Sequence, residues 1–309
     1  MKENSAVTGQ VLVGAKHASS QTRSDRRGRG KRRLKRSALS QIGGLSAHVV
    51  MIITVLICIL PLIIIISTSF KLPNDVFDLK LIPSHFTLGN YQYVLGGDFV
   101  TWFLNSLKIG AMTTVVGLAL AAPAAYAVSR WQFLGKHGLM LLFLVTQMFP
   151  GVLLIVPLYI LFAQLNLLDN IFGLVIAYAT TALPFSVWML KNFFDTVPKE
   201  LDEAASVDGL GPFQTFWRIV LPLTLPGIAV VGFFNFMTAW NEFMMAFTFL
   251  QSDGNLTLAV GIQRFVHNFG ADWSYLAAAA VLVTIPVLII FMWAQRYLVT
   301  GLTGGSIKG

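Results

Sequence analysis

Six long apolar stretches constrain this chain more than any other feature of its sequence. A membrane-crossing helix needs ~20 mostly apolar residues, because the hydrocarbon core is ~30 Å thick and each helical residue rises ~1.5 Å. The stretches run from Val49 to Ser67, Ile109 to Val128, Leu139 to Phe162, Ile171 to Leu190, Ile228 to Leu250 and Tyr275 to Trp293. We therefore predict an all-α integral membrane fold with six transmembrane helices, kinked at the prolines that five of them contain.

The basic charge is concentrated in an amino-terminal tail. The chain carries a net charge of +8, but residues 1–40 hold eleven Lys and Arg against two acidic residues. This tail is too polar to bury a core, so we predict a disordered segment 1–40 before a six-helix transmembrane domain at 41–309. It is typical of a solvated tail that fixes membrane orientation and contacts lipid headgroups. It contains no Phe, Tyr or Trp, and this argues against binding to nucleic acid.

Basic residues between the stretches predict the orientation. The first stretch is too long for a signal-peptide core and is followed by no small-residue cleavage site, so we interpret it as a retained anchor. With the amino terminus in the cytoplasm, 18 Lys and Arg fall in inside segments and 4 in outside segments or their flanks. The asymmetry predicts that both termini are cytoplasmic.

The segment 195–222, DTVPKELDEAASVDGLGPFQTFWRIVLP, is too polar to span and too long for a simple connection. Pro198 and the acidic residues after it favour a short helix, Gly209 permits a tight turn, and Pro212 opens a second helix. Two interpretations fit: a rigid knob that enters a partner's groove, and an amphipathic helix lying on the inner leaflet.

This segment resembles the EAA motif of binding-protein-dependent ABC importer permeases. The motif is EAA, three residues, Gly, nine residues, then I-x-L-P, and every fixed position matches. The matching residues are Glu203, Ala204, Ala205, Gly209, Ile219, Leu221 and Pro222, with Asp208 directly before the glycine. The resemblance covers about 49–309 and is similar to the smaller permease subunit of maltose-type carbohydrate transporters. It implies that these residues form a helix coupled to an ATPase.

The resemblance also implies partners and a location. Such a subunit lies in the bacterial cytoplasmic membrane and forms half of a pore with a second homologous permease. Two copies of an ATP-binding subunit and an extracytoplasmic sugar-binding protein complete the importer, with maltose, maltodextrin, trehalose or a related α-glucoside as the expected cargo. No cofactor is expected in this chain, because ATP and Mg would be bound by the ATPase. The final segment resembles that subfamily's ending, which reaches between the ATPases, and this implies such a role for Gly304, Gly305 and Lys308; a frayed end is the alternative.

Two further clusters are candidates for contact with substrate or partner. Glu242 is an acidic residue within a predicted span, where a charge costs about 2.5–3.5 kcal/mol, so with Trp240 and Asn241 it is a candidate for the translocation path. A hydrogen bond that fixes helix packing is the alternative. The loop Gln251, Ser252, Asp253, Gly254 and Asn255 is placed like the loop with which these permeases probe their binding protein, although its composition suits any turn.

The sequence argues against other classes of function. It contains no G-x-x-x-x-G-K-[ST] phosphate loop, its five histidines lack ligand spacing, and Cys58 is its only cysteine. We therefore expect neither an enzyme nor a metal site. The remaining alternatives are a proton-coupled secondary transporter in which Glu242 carries the proton, and a regulatory membrane protein.

Overall fold

The computed structural model describes residues 47–78, 80–267 and 270–304. The tail 1–40 and its predicted boundary lie outside these residues. The described chain forms two units, which divide between Ile64 and Ile65. The first unit consists of most of helix α1, Ala47–Ser69, whose most apolar window has a mean hydropathy of 3.5.

The second unit is built around three long helices: α3 (Phe99–Arg130), α6 (Ile171–Asp195) and α13 (Trp273–Gly304). Helix α10 (Leu225–Asn241) packs against all three, and α3 packs along α6. Small residues allow the close approach, since a Cβ at Gly110 would lie 2.8 Å from the Phe236 ring. Prolines 123, 184 and 286 lie inside continuous helices rather than ending them.

Two predicted spans are broken. The stretch from Leu139 to Phe162 forms α4 (Lys136–Met148), a 3₁₀ turn (Gly151–Leu154) and α5 (Ile155–Gln164), with a 98° bend. Pro150 lies at the bend, where its ring removes a backbone donor. The kink predicted at this proline is therefore present, and it is sharp enough to divide the stretch into two helices.

The stretch from Ile228 to Leu250 is also interrupted. Helix α10 ends at Asn241, Glu242 adopts extended backbone, and a short helix α11 (Met244–Phe249) follows. The segment before α10 is bent from it by 81°. Among the described residues, four helices are long and apolar enough to cross a membrane, or up to six if each bent pair is one span.

The remaining elements are short. They are α2 (Gly89–Gly96), α7 (Glu200–Val207), α8 (Pro212–Thr215), α9 (Leu221–Leu223) and α12 (Leu258–Ile262), with further 3₁₀ turns at Pro73–Asp75, Asp253–Asn255 and Gln263–Phe265. A two-residue antiparallel pair joins β1 (Val266–His267) to β2 (Gly270–Ala271). The regular structure of the described residues is otherwise helical, as predicted.

Candidate functional site

The segment 195–222 folds as two short helices separated by a glycine turn. Helix α7 begins two residues after Pro198, and its first turn carries Glu200, Asp202 and Glu203 near the positive end of the helix dipole. Gly209 has φ +81°, and the Leu210 N–H donates to the Ala205 carbonyl at 2.9 Å. This pairing is the usual way to end a helix with glycine.

After the turn, Pro212 is the first residue of α8. The chain then continues through a π turn, Phe216–Val220, into α9. Within this stretch Ile219 and Leu221 are half-buried and Pro222 is exposed. The motif residues at this end therefore lie where the loop returns to the bundle.

Helix α7 has two different faces. Asp202 and Ala205 lie three residues apart on one side, and Ala205 is 2% exposed. Glu203, Ala204 and Asp208 are exposed on the remaining surface, and Val207 is 88% exposed. The inward face is held by the protein, and the outward face is free to meet a partner.

Asp202 is clamped to the end of α3. Its Oδ2 lies 2.9 Å from Nε of Arg130, and its Oδ1 accepts a hydrogen bond of 2.7 Å from the Tyr126 hydroxyl. The Arg130 side chain is only 5% exposed, so this ion pair is shielded from solvent. Both carboxylate oxygens are thereby engaged by one helix.

Arg130 also holds the end of α6. Its two terminal nitrogens donate to the carbonyls of Phe194 and Val197, each at 3.1 Å. These carbonyls lie where α6 ends, and the Phe194 carbonyl also accepts from the Val197 N–H, so the guanidinium joins the last turn of α6 to the end of α3. Ser129 reinforces the contact through a 2.6 Å hydrogen bond to Asp195.

A cleft of about 300 Å³ lies beside this clamp. Its walls include Tyr126, Arg130, Lys199, Glu203 and Pro212. Beyond it, Phe213 and Trp217 are 74% and 52% exposed, with their ring centroids 6.1 Å apart. An apolar and charged surface is thus presented around Glu203, as either interpretation of this segment requires.

Glu242 lies at the break between α10 and α11. Its carboxylate accepts hydrogen bonds from the N–H groups of Met245 (2.8 Å) and Ala246 (3.2 Å), which open α11. It also accepts a 2.6 Å hydrogen bond from the Tyr178 hydroxyl on α6. The carboxylate therefore has a clear packing role.

The other two residues of this candidate cluster have different surroundings. Trp240 is 4% exposed and stacks on Phe236, whereas Asn241 is exposed. The proposed path role of all three residues stays a prediction.

The loop 251–255 is fastened at the end of the bundle opposite the clamp. Asp169, at φ +51°, accepts hydrogen bonds from the backbone of Gln251 and Ser252, both at 3.0 Å, and from the Ser252 hydroxyl. Partial burial disfavours the ionised carboxyl, but these hydrogen bonds outweigh it and lower the pKa of Asp169 to about 2. Four of the five loop residues, 251–254, remain exposed.

The same loop is tied to α3 and to its own continuation. The Asn105 amide donates to the carbonyls of Gly254 (2.8 Å) and Leu256 (3.1 Å). Arg264 pairs with Asp253 and lies over the Trp102 ring. The loop is therefore exposed to solvent but held in place by side chains of α3 and of the residues that follow it.

Sequence reasoning missed the residues that hold these two regions. Arg130, Asp202, Asp169 and Asn105 each bond to groups at least 64 residues away in the chain. The only local signal was a polar residue at the end of an apolar run.

The predictions for the carboxyl-terminal tail fall mostly beyond the described chain. Gly304 ends α13, and Gly305 and Lys308 lie outside the described residues. Among the described residues, no group of three His, Cys, Asp or Glu side chains could hold a metal.

Comparison of the sequence with known protein families and curated proteins identifies its relatives. Residues 113–304 match the family described as binding-protein-dependent transport system inner membrane component. The chain is 37% identical over 254 residues to the trehalose transport system permease protein SugB of Mycobacterium tuberculosis (strain CDC 1551 / Oshkosh), covering 81% of this chain and 93% of that protein. It is 35% identical over 284 residues to the maltose/maltodextrin permease protein MalG of Vibrio parahaemolyticus serotype O3:K6, covering 85% and 95%.

A solved structure shows the same fold. It is a crystal structure of a bacterial ABC transporter involved in the import of the acidic polysaccharide alginate. One of its chains superposes with a TM-score of 0.74 at 25% identity, covering 83% of this chain and 96% of that one. The likeness extends over the helical bundle and is not confined to one motif.

Proposed function

The chain belongs to the family of binding-protein-dependent transport system inner membrane components, and from this membership we propose that it is the permease of an importer for an oligosaccharide of the α-glucoside type. It is a membrane-embedded transport subunit and not an enzyme. Maltose, maltodextrin and trehalose are the leading cargoes, because relatives that carry those names are 35% and 37% identical to it.

The observation that carries the proposal is the shape of the segment 195–222. A short helix exposes Glu203 and Ala204 while its opposite face is anchored to the bundle through Asp202 and Ala205. A partner that pushes on the exposed face would move the anchored face with it. This arrangement suits a joint between a membrane subunit and an external ATPase.

The proposed assembly contains a second homologous permease, two copies of the ATPase and an extracytoplasmic sugar-binding protein. ATP and Mg would be bound by the ATPase, since this chain has no phosphate loop. ATP-driven closure of the ATPase pair would bias the permease between two conformations with access to opposite sides. The tail around Gly304, Gly305 and Lys308 is proposed to lie near the ATPases, and the loop 251–255 near the binding protein.

The proposal is tested by uptake in proteoliposomes that contain all subunits. Radiolabelled maltose, maltotriose and trehalose are offered separately, with and without ATP inside and with and without the binding protein outside. We expect uptake of one of them to require both components. Replacing Glu203 and Gly209 together should abolish uptake while the permease still inserts in the membrane.

The proton-coupled alternative makes opposite predictions in the same experiment. A carrier that used Glu242 would accumulate sugar under an imposed proton gradient without the ATPase. Because Tyr178 and two N–H groups all donate to the Glu242 carboxylate, the structure offers a reason for its presence other than proton transfer. Uptake that persists without ATPase and binding protein would overturn the importer proposal.

A further inference from the structure

We propose that helix α3 is the mechanical link between the segment 195–222, which would face the ATPase, and the stretch 251–258 at the opposite end of the bundle. This stretch contains the loop 251–255 and the start of α12. In this inference Asp202 with Arg130 at one end, and Asn105 with Ser106 at the other, are positioning residues that pass displacement along the helix. The inference rests on the proposed function, because it assumes an ATPase at one end and a binding protein at the other.

The first step is that α7 cannot hold its own position. It has eight residues, and isolated helices shorter than ~12–15 residues are marginal in water. Within the described residues, its first turn has no side-chain cap. Its orientation must therefore come from tertiary contacts, and its polar contacts to the bundle run through Asp202 to Tyr126 and Arg130.

The second step is that the clamp attaches α7 to α3 in particular. Tyr126 and Arg130 occupy successive positions four residues apart on one face of α3, and each contacts a different oxygen of the same carboxylate. Two contacts from one helix fix a direction as well as a distance. A displacement of α7 is thus transmitted to the end of α3 rather than absorbed by a flexible side chain.

The third step is that the opposite end of α3 holds a second segment in the same manner. The Asn105 amide binds the carbonyls of Gly254 and Leu256, and the Ser106 hydroxyl accepts a 2.8 Å hydrogen bond from the Leu258 N–H. Asn105 and Ser106 are 5% and 4% exposed. Three backbone groups of the loop are therefore attached to α3 by side chains that are shielded from water.

The fourth step is continuity between the two ends. Helix α3 is unbroken over 32 residues and its neighbour α6 over 25, whereas the chain breaks at Pro150 and at Glu242 in the other neighbouring stretches. At ~1.5 Å per residue, Asn105 and Arg130 are about 38 Å apart along the axis. A continuous helix transmits axial movement better than a broken one. Of the two continuous helices, α3 is the one whose own side chains bind both segments, since Asp169 lies two residues before α6 begins.

The test measures how strongly the loaded binding protein stimulates ATP hydrolysis by the complete reconstituted transporter. We would compare the wild type with Asp202→Asn, Asn105→Ala and the double variant. Each single change should lower the ratio of stimulated to basal hydrolysis by roughly threefold or more, the order expected for one coupling contact. The double variant should show the same ratio as the more impaired of the two single variants, because both changes interrupt one path.

Matched controls separate this role from general damage. Asp98→Asn makes the same charge change at an exposed residue directly before α3, and Thr114→Val removes an α3 hydroxyl that donates to Gly110 of its own helix. Both should leave the stimulation ratio unchanged. If Asp202→Asn fails to assemble, Tyr126→Phe replaces it, because this change removes one of the two clamp contacts and keeps the ion pair. At the other end of α3, Ser106→Ala replaces Asn105→Ala and removes the hydrogen bond from the Leu258 N–H.

The outcomes distinguish the inference from the function it rests on. The role of α3 would be overturned if the binding protein stimulated ATP hydrolysis by the same ratio in the wild type and in the assembled variants. Losses that multiply in the double variant would also overturn it, since they would show two independent routes. A wild-type transporter that shows no stimulation by the binding protein would instead overturn the proposed function.

Discussion

At the scale of single residues, Gly209 and Gly211 make a natural comparison. They lie two positions apart in the same turn, and a Cβ at either would meet no atom within 4 Å. Their backbones differ, since Gly209 has φ +81° and Gly211 has φ −75°. An alanine is strained only in the first conformation.

We predict that Gly209→Ala destabilises the turn by about 1 kcal/mol, the cost of a left-handed L-residue. Trypsin should then cut faster at Lys199 and Arg218, which flank the turn and are exposed. Transport should fall with it, because the outward face of α7 is no longer held at one angle. Gly211→Ala is the control and should behave like wild type; equal effects of the two changes would refute the conformational argument.

Tyr178 gives a second prediction at this scale. Tyr178→Phe removes the donor of the 2.6 Å hydrogen bond to Glu242 and leaves a partly buried carboxylate with one partner fewer. We expect a loss of about 1–3 kcal/mol, the usual cost of removing a buried partner. Thermal unfolding of the purified protein in detergent would measure it as a lower Tm.

The control for this prediction is Tyr159→Phe. Tyr159 contacts Phe249 through its ring, at a centroid distance of 6.2 Å, so the change removes a hydroxyl and keeps the aromatic contact. Its Tm should stay near the wild-type value. Indistinguishable Tm values for the two variants would mean that the Tyr178 bond adds no net stability.

At the scale of elements, the first residues of the loop 251–255 are held by the carboxylate of Asp169. The pKa of Asp169 lies at about 2, below its ordinary value of 3.8, so ionisation of this group favours the folded loop. The stabilisation is complete above pH 3.8 and is lost as the pH falls toward 2. Asp169→Ala should release the loop at every pH.

A spin label can follow this release. Cys58 is the only cysteine, so a Cys58→Ser, Gly254→Cys protein carries a single label at the exposed loop. Its spectrum should be immobilised at pH 7 and become mobile as the pH falls from 3.8 toward about 2, whereas the Asp169→Ala protein should be mobile at both ends of this range. A label that is equally mobile in both proteins at pH 7 would contradict the role of Asp169.

The same elements show what could be read from the sequence. Hydropathy located the apolar stretches, and the acidic turn, Gly209 and Pro212 predicted the two short helices, because these signals are local. Kinks were predicted at the prolines within these stretches, but Pro150 divides two helices whereas Pro123, Pro184 and Pro286 lie inside continuous ones, and composition cannot tell these cases apart. The break at Glu242 was missed, because no proline or glycine marks it. The contacts of Arg130 and Asp169 join distant parts of the chain, which no local pattern encodes.

At the scale of the whole molecule, the number of membrane crossings determines on which side of the membrane each loop and each terminus lies. Within the part of the chain that the structure describes, four single helices are long and apolar enough to cross a membrane, and the count reaches six only if each bent pair is one span. An even count places both termini on one side, and the basic residues favour the cytoplasm for that side. The segment 195–222 and the loop 251–255 would then face opposite compartments, as the joint and the binding-protein contact require.

Accessibility of single cysteines tests this arrangement. In the Cys58→Ser background, Ser206→Cys lies in the exposed α7 and Gly254→Cys in the exposed loop. A membrane-impermeant maleimide added to right-side-out spheroplasts should label position 254 and leave position 206 unlabelled until the membrane is opened. Because Arg130 contacts the end of α6, and Asn105 and Asp169 both bind the loop 251–255, the chain returns along the bundle between α3 and α6, and positions 206 and 254 lie at opposite ends. Labelling of position 206 from outside would therefore refute the topology, and with it the contact of Glu203 with a cytoplasmic ATPase.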